Sequence, residues 1–246
     1  MNRLHKEKPV LFAVLWIVLY VVGLSAADSA SASLGVEKAV TLPVAAVLSL
    51  VLYRWISRQN LKSHYGLCPS SVPAGRLLWY LPLVLLASVN LWLGVVLNLS
   101  ILETVLYILS MFCVGFLEEV IFRGLLFKAM LPGGVKSAII VSSLTFGIGH
   151  LVNLVNGSGA DMLGSLLQVG YAVAAGFLFT ILFYRTGSLL ACIITHSVLN
   201  ALSVFANEAA QTPQMEVLSA AALTVIALVY AVYVLLTTSS ASESKL

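Results

Sequence analysis

The sequence predicts an all-α bundle of about eight transmembrane helices. Of its 246 residues, 60% are hydrophobic and 9% are charged, whereas about 25% of residues are charged in typical soluble domains. At about 20 residues for each crossing, the chain has room for at most about nine spans. We therefore expect residues 1–246 to form a single transmembrane domain that contacts the lipid bilayer and has no separate soluble domain.

Eight apolar segments provide the predicted spans in chain order. These are residues 9–27, 38–56, 77–98, 102–129, 135–155, 162–184, 188–206 and 215–237. Polar or glycine- and proline-containing stretches separate them and are typical of loops. The clearest are residues 28–33, 54–76, 131–134, 156–159 and 211–213.

The distribution of basic residues predicts the orientation of the bundle. One set of alternate loops holds nearly all of them: Arg3, Lys6, Lys8, Arg54, Arg58, Lys62, Arg76, Lys128, Lys136 and Arg185. The opposite loops contain only Lys38 among several acidic residues. Because loops rich in lysine and arginine stay in the cytoplasm, the sequence predicts a multi-pass cell-membrane protein with both termini cytoplasmic. The net charge of +3 is too small to indicate a nucleic-acid partner.

Three polar motifs lie inside the apolar spans. They are Glu118-Glu119-xxx-Arg123 in span 4, Phe146-xxx-His150 in span 5 and His196-xxx-Asn200 in span 7. An Asp, Lys or Arg at the centre of a membrane helix costs about 2.5–3.5 kcal/mol, so such polar residues usually mark a functional site. Positions four apart on an α-helix lie within about 40° of each other, which predicts an ion pair between Glu119 and Arg123. Glu118 has no partner on its own helix and is a candidate general base.

The motifs are expected to meet at one depth. At about 1.5 Å per residue, Glu118, His150 and His196 all lie about 12–21 Å from the predicted cytoplasmic ends of their spans. Gly147 and Gly149 are expected to let another helix approach closely. The sequence therefore predicts one polar site near the middle of the membrane, built from spans 4, 5 and 7.

The residue types at this site restrict its chemistry. No HExxH motif occurs, which excludes a helix-borne zinc site of that type. The only aspartates, Asp28 and Asp161, lie in predicted loops, which excludes an intramembrane aspartyl dyad. A glutamate, two histidines and an amide can activate water and stabilise an oxyanion during peptide hydrolysis. One glutamate and two histidines also meet the ligand count of an open catalytic zinc site, so zinc remains an alternative.

Together and in this order, the three motifs resemble the signature motifs of the type II CAAX prenyl endopeptidase family, whose many bacterial members are called CPBP or Abi proteins. The motif-bearing core covers about residues 105–205. The resemblance implies an eight-helix fold and hydrolysis of a peptide bond in a membrane-associated protein or peptide. The short loops favour a bacterial member.

The resemblance also implies roles for individual residues. Glu118 would be the catalytic base and would act with His150 on the attacking water, while His196 and Asn200 would form the oxyanion hole. Glu119 and Arg123 also match motif positions, and their spacing of four residues makes them a structural pair or residues that orient the substrate. No cofactor is favoured; if zinc binds, its ligands would be Glu118, His150 and His196.

Two other classes of function stay open at the level of sequence. A non-catalytic membrane scaffold or bacteriocin-immunity protein could use the same polar residues to lock the bundle. A proton-coupled transporter could also place Glu and His at mid-membrane, but the sequence has no visible internal repeat that would support it.

Overall fold

The computed structural model describes residues 1–152 and 162–239, and over these residues the chain is an all-α bundle. A short N-terminal helix, Asn2–Glu7, precedes the eight α-helices of seven or more residues that occur within the described ranges. They are α1 (Pro9–Leu34), α2 (Thr41–Arg58), α3 (Leu81–Ala87), α4 (Ile101–Glu118), α5 (Val135–Gly149), α6 (Met162–Thr186), α7 (Leu190–Leu202) and α8 (Pro213–Thr237). The predicted loop at 156–159 and Asp161 lie outside the described residues.

The fold class predicted from the sequence is confirmed. Among the described residues, four helices are long and apolar enough to cross a membrane. They are Pro9–Leu34, Ile101–Gly133, Met162–Thr186 and Pro213–Thr237. Shorter apolar helices occupy 74–87, 135–149 and 190–205. The chain is thus a polytopic helical membrane protein with helices of unequal length.

Local sequence signals set several helix boundaries. Ser100 begins α4 with a capping box, in which its hydroxyl accepts from the Glu103 amide and the Glu103 carboxylate accepts from the Ser100 amide, both at 3.3 Å. Thr212 caps α8 through a single bond, in which its hydroxyl accepts from the Met215 amide at 3.3 Å, and Pro213 occupies the first helical position. These contacts satisfy amide donors that have no partner within the helix.

The third predicted span, residues 77–98, is wrong in its helical extent. Its helix is kinked where residues 78–80 adopt positive φ values of 50°, 53° and 59°, and α3 ends at Ala87. Beyond a short 3₁₀ turn, Val95 forms an isolated β-bridge with Ala206, and the Asn98 side chain donates to the carbonyls of Val204 and Ala206 at 2.9 Å. Apolar composition predicts burial, but here backbone groups find partners in another segment instead of within a helix.

Helix α4 continues without a break as a π-helix over Glu119–Phe127, and all nine of its residues are buried. This segment lies between two apolar cores, one around Phe12, Trp55 and Leu117 and the other around Leu178 and Phe183. Segments of π-helix are rare and occur frequently at functional sites. This buried stretch therefore contains Glu119 and Arg123 of the first polar motif, and Glu118 immediately precedes it.

Small residues bring the motif-bearing helices together. A Cβ atom added to Gly115 of α4 would lie 2.9 Å from the Cα of Ser197 on α7. One added to Gly147 of α5 would lie 2.9 Å from the backbone nitrogen of Val173 on α6. Glycine is required at both crossings because any side chain would push the helices apart. The expectation for Gly147 is confirmed, whereas a Cβ added to Gly149 meets no atom of the described residues within 4 Å, so no close helix approach is seen there.

Candidate active site

The ion pair predicted between Glu119 and Arg123 is present. Arg123 Nη1 donates to Glu119 Oε1 at 3.1 Å, and both side chains are 0% exposed. The same carboxylate oxygen lies 2.8 Å from His196 Nδ1. Glu119 therefore binds Arg123 in its own helical segment and His196 on α7.

Glu118 has partners on two other helices. Its Oε2 lies 3.2 Å from His196 Nε2, and its Oε1 accepts a hydrogen bond from the Tyr20 hydroxyl at 2.5 Å. The Glu118 side chain is 13% exposed, in contrast to the fully buried Glu119. Sequence reasoning found no partner on the same helix and missed Tyr20, because a tyrosine in an apolar span carries no motif signal.

These five residues (Tyr20, Glu118, Glu119, Arg123 and His196) form what we call the polar cluster. Each ring nitrogen of His196 faces a different carboxylate, and only a doubly protonated imidazole has a donor on both nitrogens. In that state the two cations, His196 and Arg123, balance the two carboxylates. Charge balance matters here because unpaired charges in an apolar interior are strongly unfavourable.

Phe146 packs against the polar cluster from α5. Its ring centre lies 4.0 Å from Arg123 Cζ, and its ring is roughly perpendicular to those of His196 and His150, at centroid distances of 5.6 and 5.0 Å. A guanidinium over an aromatic face is stabilised by the ring quadrupole. Phe146 thus explains the first position of the second motif, for which the sequence analysis gave no role.

His150 lies at the C-terminal end of α5. Its Nδ1 is 3.1 Å from the Phe146 carbonyl. If Nδ1 donates there, Nε2 is left as an acceptor. Glu118 is near enough to act on His150 electrostatically, but no hydrogen bond joins the two within the described residues. The structure therefore brings His150 close to the polar cluster without direct contact.

Asn200 is half-buried one turn beyond His196. Its backbone carbonyl accepts from the Ser203 hydroxyl at 2.7 Å. Its side chain forms no hydrogen bond within residues 1–152 and 162–239. The structure therefore keeps Asn200 on the helix that carries His196 but does not join it to the polar cluster.

The zinc alternative has no preformed ligand set in the described part of the chain. No group of three or more His, Cys, Asp or Glu side chains there is arranged to hold a metal ion. Of the residues that were candidates, His196 directs both ring nitrogens to carboxylates and His150 lies apart from that contact. That no metal is required stays a prediction, with zinc as the alternative, and chelation tests it.

Comparison with known protein families gives a match to the segment that contains the predicted site residues. Residues 100–202 match the family model described as Type II CAAX prenyl endopeptidase Rce1-like. Over this segment, the chain is similar to that family. All six site residues predicted from the sequence lie within the match, whereas Tyr20 lies outside it. No curated protein and no solved structure matches the chain.

Proposed function

We propose that this Rce1-like chain is an intramembrane endopeptidase that hydrolyses a peptide bond of a membrane-associated protein or peptide. The family match supports the class of reaction. The observation that carries the assignment to Glu118 is the difference between the two neighbouring carboxylates. Glu118 is partly exposed, while Glu119 is fully buried with both Arg123 and His196 on one oxygen.

Glu118 is the proposed general base. It removes a proton from a water molecule held between its carboxylate and Nε2 of His150. The water oxygen then attacks the carbonyl carbon of the substrate, and the carbonyl π electrons move to the oxygen. A base within hydrogen-bond reach of the attacking water typically contributes about 10²–10⁴ in rate.

His196 and Asn200 are proposed to stabilise the resulting oxyanion. Once Glu118 is protonated, its attraction for the His196 imidazolium falls, and Nε2 is free to donate to the oxyanion together with the Asn200 amide. Glu119 keeps hold of Nδ1 and so fixes the ring. The proton on Glu118 then passes to the leaving nitrogen as the C–N bond breaks. Donors aimed at developing charge in a site that excludes water have a large effect on rate.

The substrate is proposed to be a membrane peptide or protein of a bacterial cell membrane, with both termini of the enzyme in the cytoplasm. Apolar helices and the protease family support a site reached from the lipid bilayer. The modest net charge gives no support for a nucleic-acid partner.

The polar cluster itself favours a second candidate, a non-catalytic scaffold or bacteriocin-immunity protein. Its contacts tie α1 to α4 through Tyr20 and Glu118, and α4 to α7 through His196. A network whose members bind one another in this way could serve to fix the bundle alone. This candidate predicts that the biological effect survives replacement of Glu118.

The deciding experiment compares purified wild type, Glu118→Gln and Glu208→Gln on a membrane-peptide library in detergent, with products identified by mass spectrometry. Glu118→Gln is nearly isosteric and should abolish cleavage without unfolding the protein. Glu208→Gln makes the same chemical change at an exposed residue and should retain wild-type cleavage. Wild-type cleavage by Glu118→Gln would remove this glutamate from the mechanism.

The same assay tests metal dependence. Without a catalytic metal, cleavage should survive incubation with a strong chelator. Loss of cleavage on chelation and its recovery on adding zinc would replace the metal-free mechanism with a site at Glu118, His150 and His196.

A further inference from the structure

A second polar site lies away from the polar cluster, at the end of the bundle that holds the N-terminus. A cavity of about 240 Å³ opens there between the N-terminal helix, the loop after α2 and the end of the π-helix. Four basic side chains line it: His5, Lys6, His64 and Lys128. Its remaining walls are aromatic or apolar and include Phe12 and Leu125.

None of the described residues that line this basic cavity carries a carboxylate. Lys6 and Lys128 form no ion pair within the described residues, and the ammonium of Lys128 lies 5.0 Å from the Phe183 ring centre. The neighbouring acid, Glu7, is bound to Arg3 at 2.9 Å. The four basic residues therefore line a shared space to which the described residues contribute no carboxylate as a counter-charge.

The positive charge around the cavity affects the pKa values of His5 and His64. His5 is held by the Tyr65 hydroxyl, 2.5 Å from its Nε2. Burial, followed by the charge of Lys6, lowers the pKa of His5 below its usual value. Burial, followed by the charges of Lys128 and His5, lowers the pKa of His64. An anion in the cavity would offset this repulsion and provide acceptors for several donors at once.

We propose that the basic cavity binds a phosphate group. Phosphate offers several acceptor oxygens and a full negative charge, which suits a site with two lysines and two histidines. The apolar walls and the position at one end of a membrane bundle fit the headgroup of an anionic phospholipid. A soluble phosphate ester presents the same chemistry. Either ligand would tie the N-terminal helix and the loop after α2 to the end of the π-helix.

The test measures thermal unfolding of the full chain in a neutral detergent. Three additions are compared at matched ionic strength: inorganic phosphate, phosphatidic acid in mixed micelles, and phosphatidylcholine as the lipid control. A ligand present at about 100 times its dissociation constant should raise the unfolding midpoint by about 5–10 °C. Stabilisation by inorganic phosphate indicates a soluble anion, and stabilisation only by phosphatidic acid indicates a lipid headgroup.

The variants locate the effect. The double variant Lys6→Gln/Lys128→Gln should show no rise in the unfolding midpoint when the phosphate ligand is added. Lys128→Arg should retain it because the charge remains. Lys136→Gln removes an exposed lysine that does not line the cavity and should behave as wild type. The proposal is overturned if neither phosphate ligand stabilises the wild type, or if the double variant is stabilised to the same extent. Should the double variant fail to fold, the single variants Lys6→Gln and Lys128→Gln take its place, and a wild-type shift in both of them overturns the proposal.

Discussion

Removal of the Arg123 guanidinium should destabilise the protein more than any exposed charge substitution. In Arg123→Ala, Glu119 stays fully buried, and among the described residues its one remaining partner is His196 Nδ1. Removing one partner of a buried ion pair typically costs about 3–5 kcal/mol. Loss of the stacking contact with Phe146, at 4.0 Å, adds about 0.5–2 kcal/mol.

Two features of the structure reduce this cost. His196 remains 2.8 Å from Glu119 and continues to offset its charge. Arg123 Nε and Nη2 are buried without hydrogen-bond partners in the described residues, and their removal relieves a desolvation penalty of about 1–3 kcal/mol. We therefore expect the free energy of unfolding to fall by about 3 kcal/mol, the lower end of the range for removing one partner of a buried ion pair.

A loss of about 3 kcal/mol corresponds to a fall of about 6–12 °C in the unfolding midpoint of a chain this size. The assay is thermal unfolding in detergent, with Arg54→Ala as the control for an exposed arginine. The double variant Glu119→Gln/Arg123→Met should recover most of the loss because no unpaired charge remains buried. If Arg123→Ala unfolds within about 0.5 kcal/mol of wild type, the ion pair does not stabilise the fold.

Three further predictions concern the site and the topology. Tyr20→Phe should lower stability by about 1.5–3 kcal/mol, because Glu118 loses a hydrogen bond to a charged group; an unchanged unfolding midpoint would show that the contact with Tyr20 is unimportant. Asn200→Ala should leave measurable cleavage reduced by about 10²–10³; wild-type turnover in the peptide assay would contradict its oxyanion role. Reporter fusions after residues 65, 133 and 246 should report a cytoplasmic location, and those after 32 and 158 an external one, with a cytoplasmic result at 158 refuting the predicted orientation.

The parts of the site that sequence could predict are those governed by local periodicity. The Glu119–Arg123 contact follows from spacing of four residues, and it survives in the π-helix that the apolar composition could not distinguish from an α-helix. The contact of Tyr20 with Glu118 joins residues 98 positions apart. It depends on how α1 packs against α4, and a tyrosine in an apolar span gives no sign of its partner.

The incorrect helical extent predicted for the third span has a related physical cause. Hydrophobicity predicts that residues 88–98 are buried or in contact with lipid, but it does not specify which groups satisfy their backbone. In the structure the Val96 amide donates to the Phe205 carbonyl at 3.0 Å, and Gly94 adopts a φ of 103° that favours glycine. These partners are distant in sequence, so helical periodicity could not reveal them.

The shared oxygen of Glu119 determines how loss-of-function variants should be interpreted. Arg123 and His196 both bind Glu119 Oε1, at 3.1 and 2.8 Å. Removal of Arg123 therefore destabilises the fold and also changes the carboxylate that orients the proposed oxyanion donor. Low activity in Arg123→Ala would not make Arg123 a catalytic residue, because it acts through Glu119. If Glu119→Gln/Arg123→Met regains stability but not cleavage, the ion pair has two separable effects: it holds the fold, and its carboxylate orients His196.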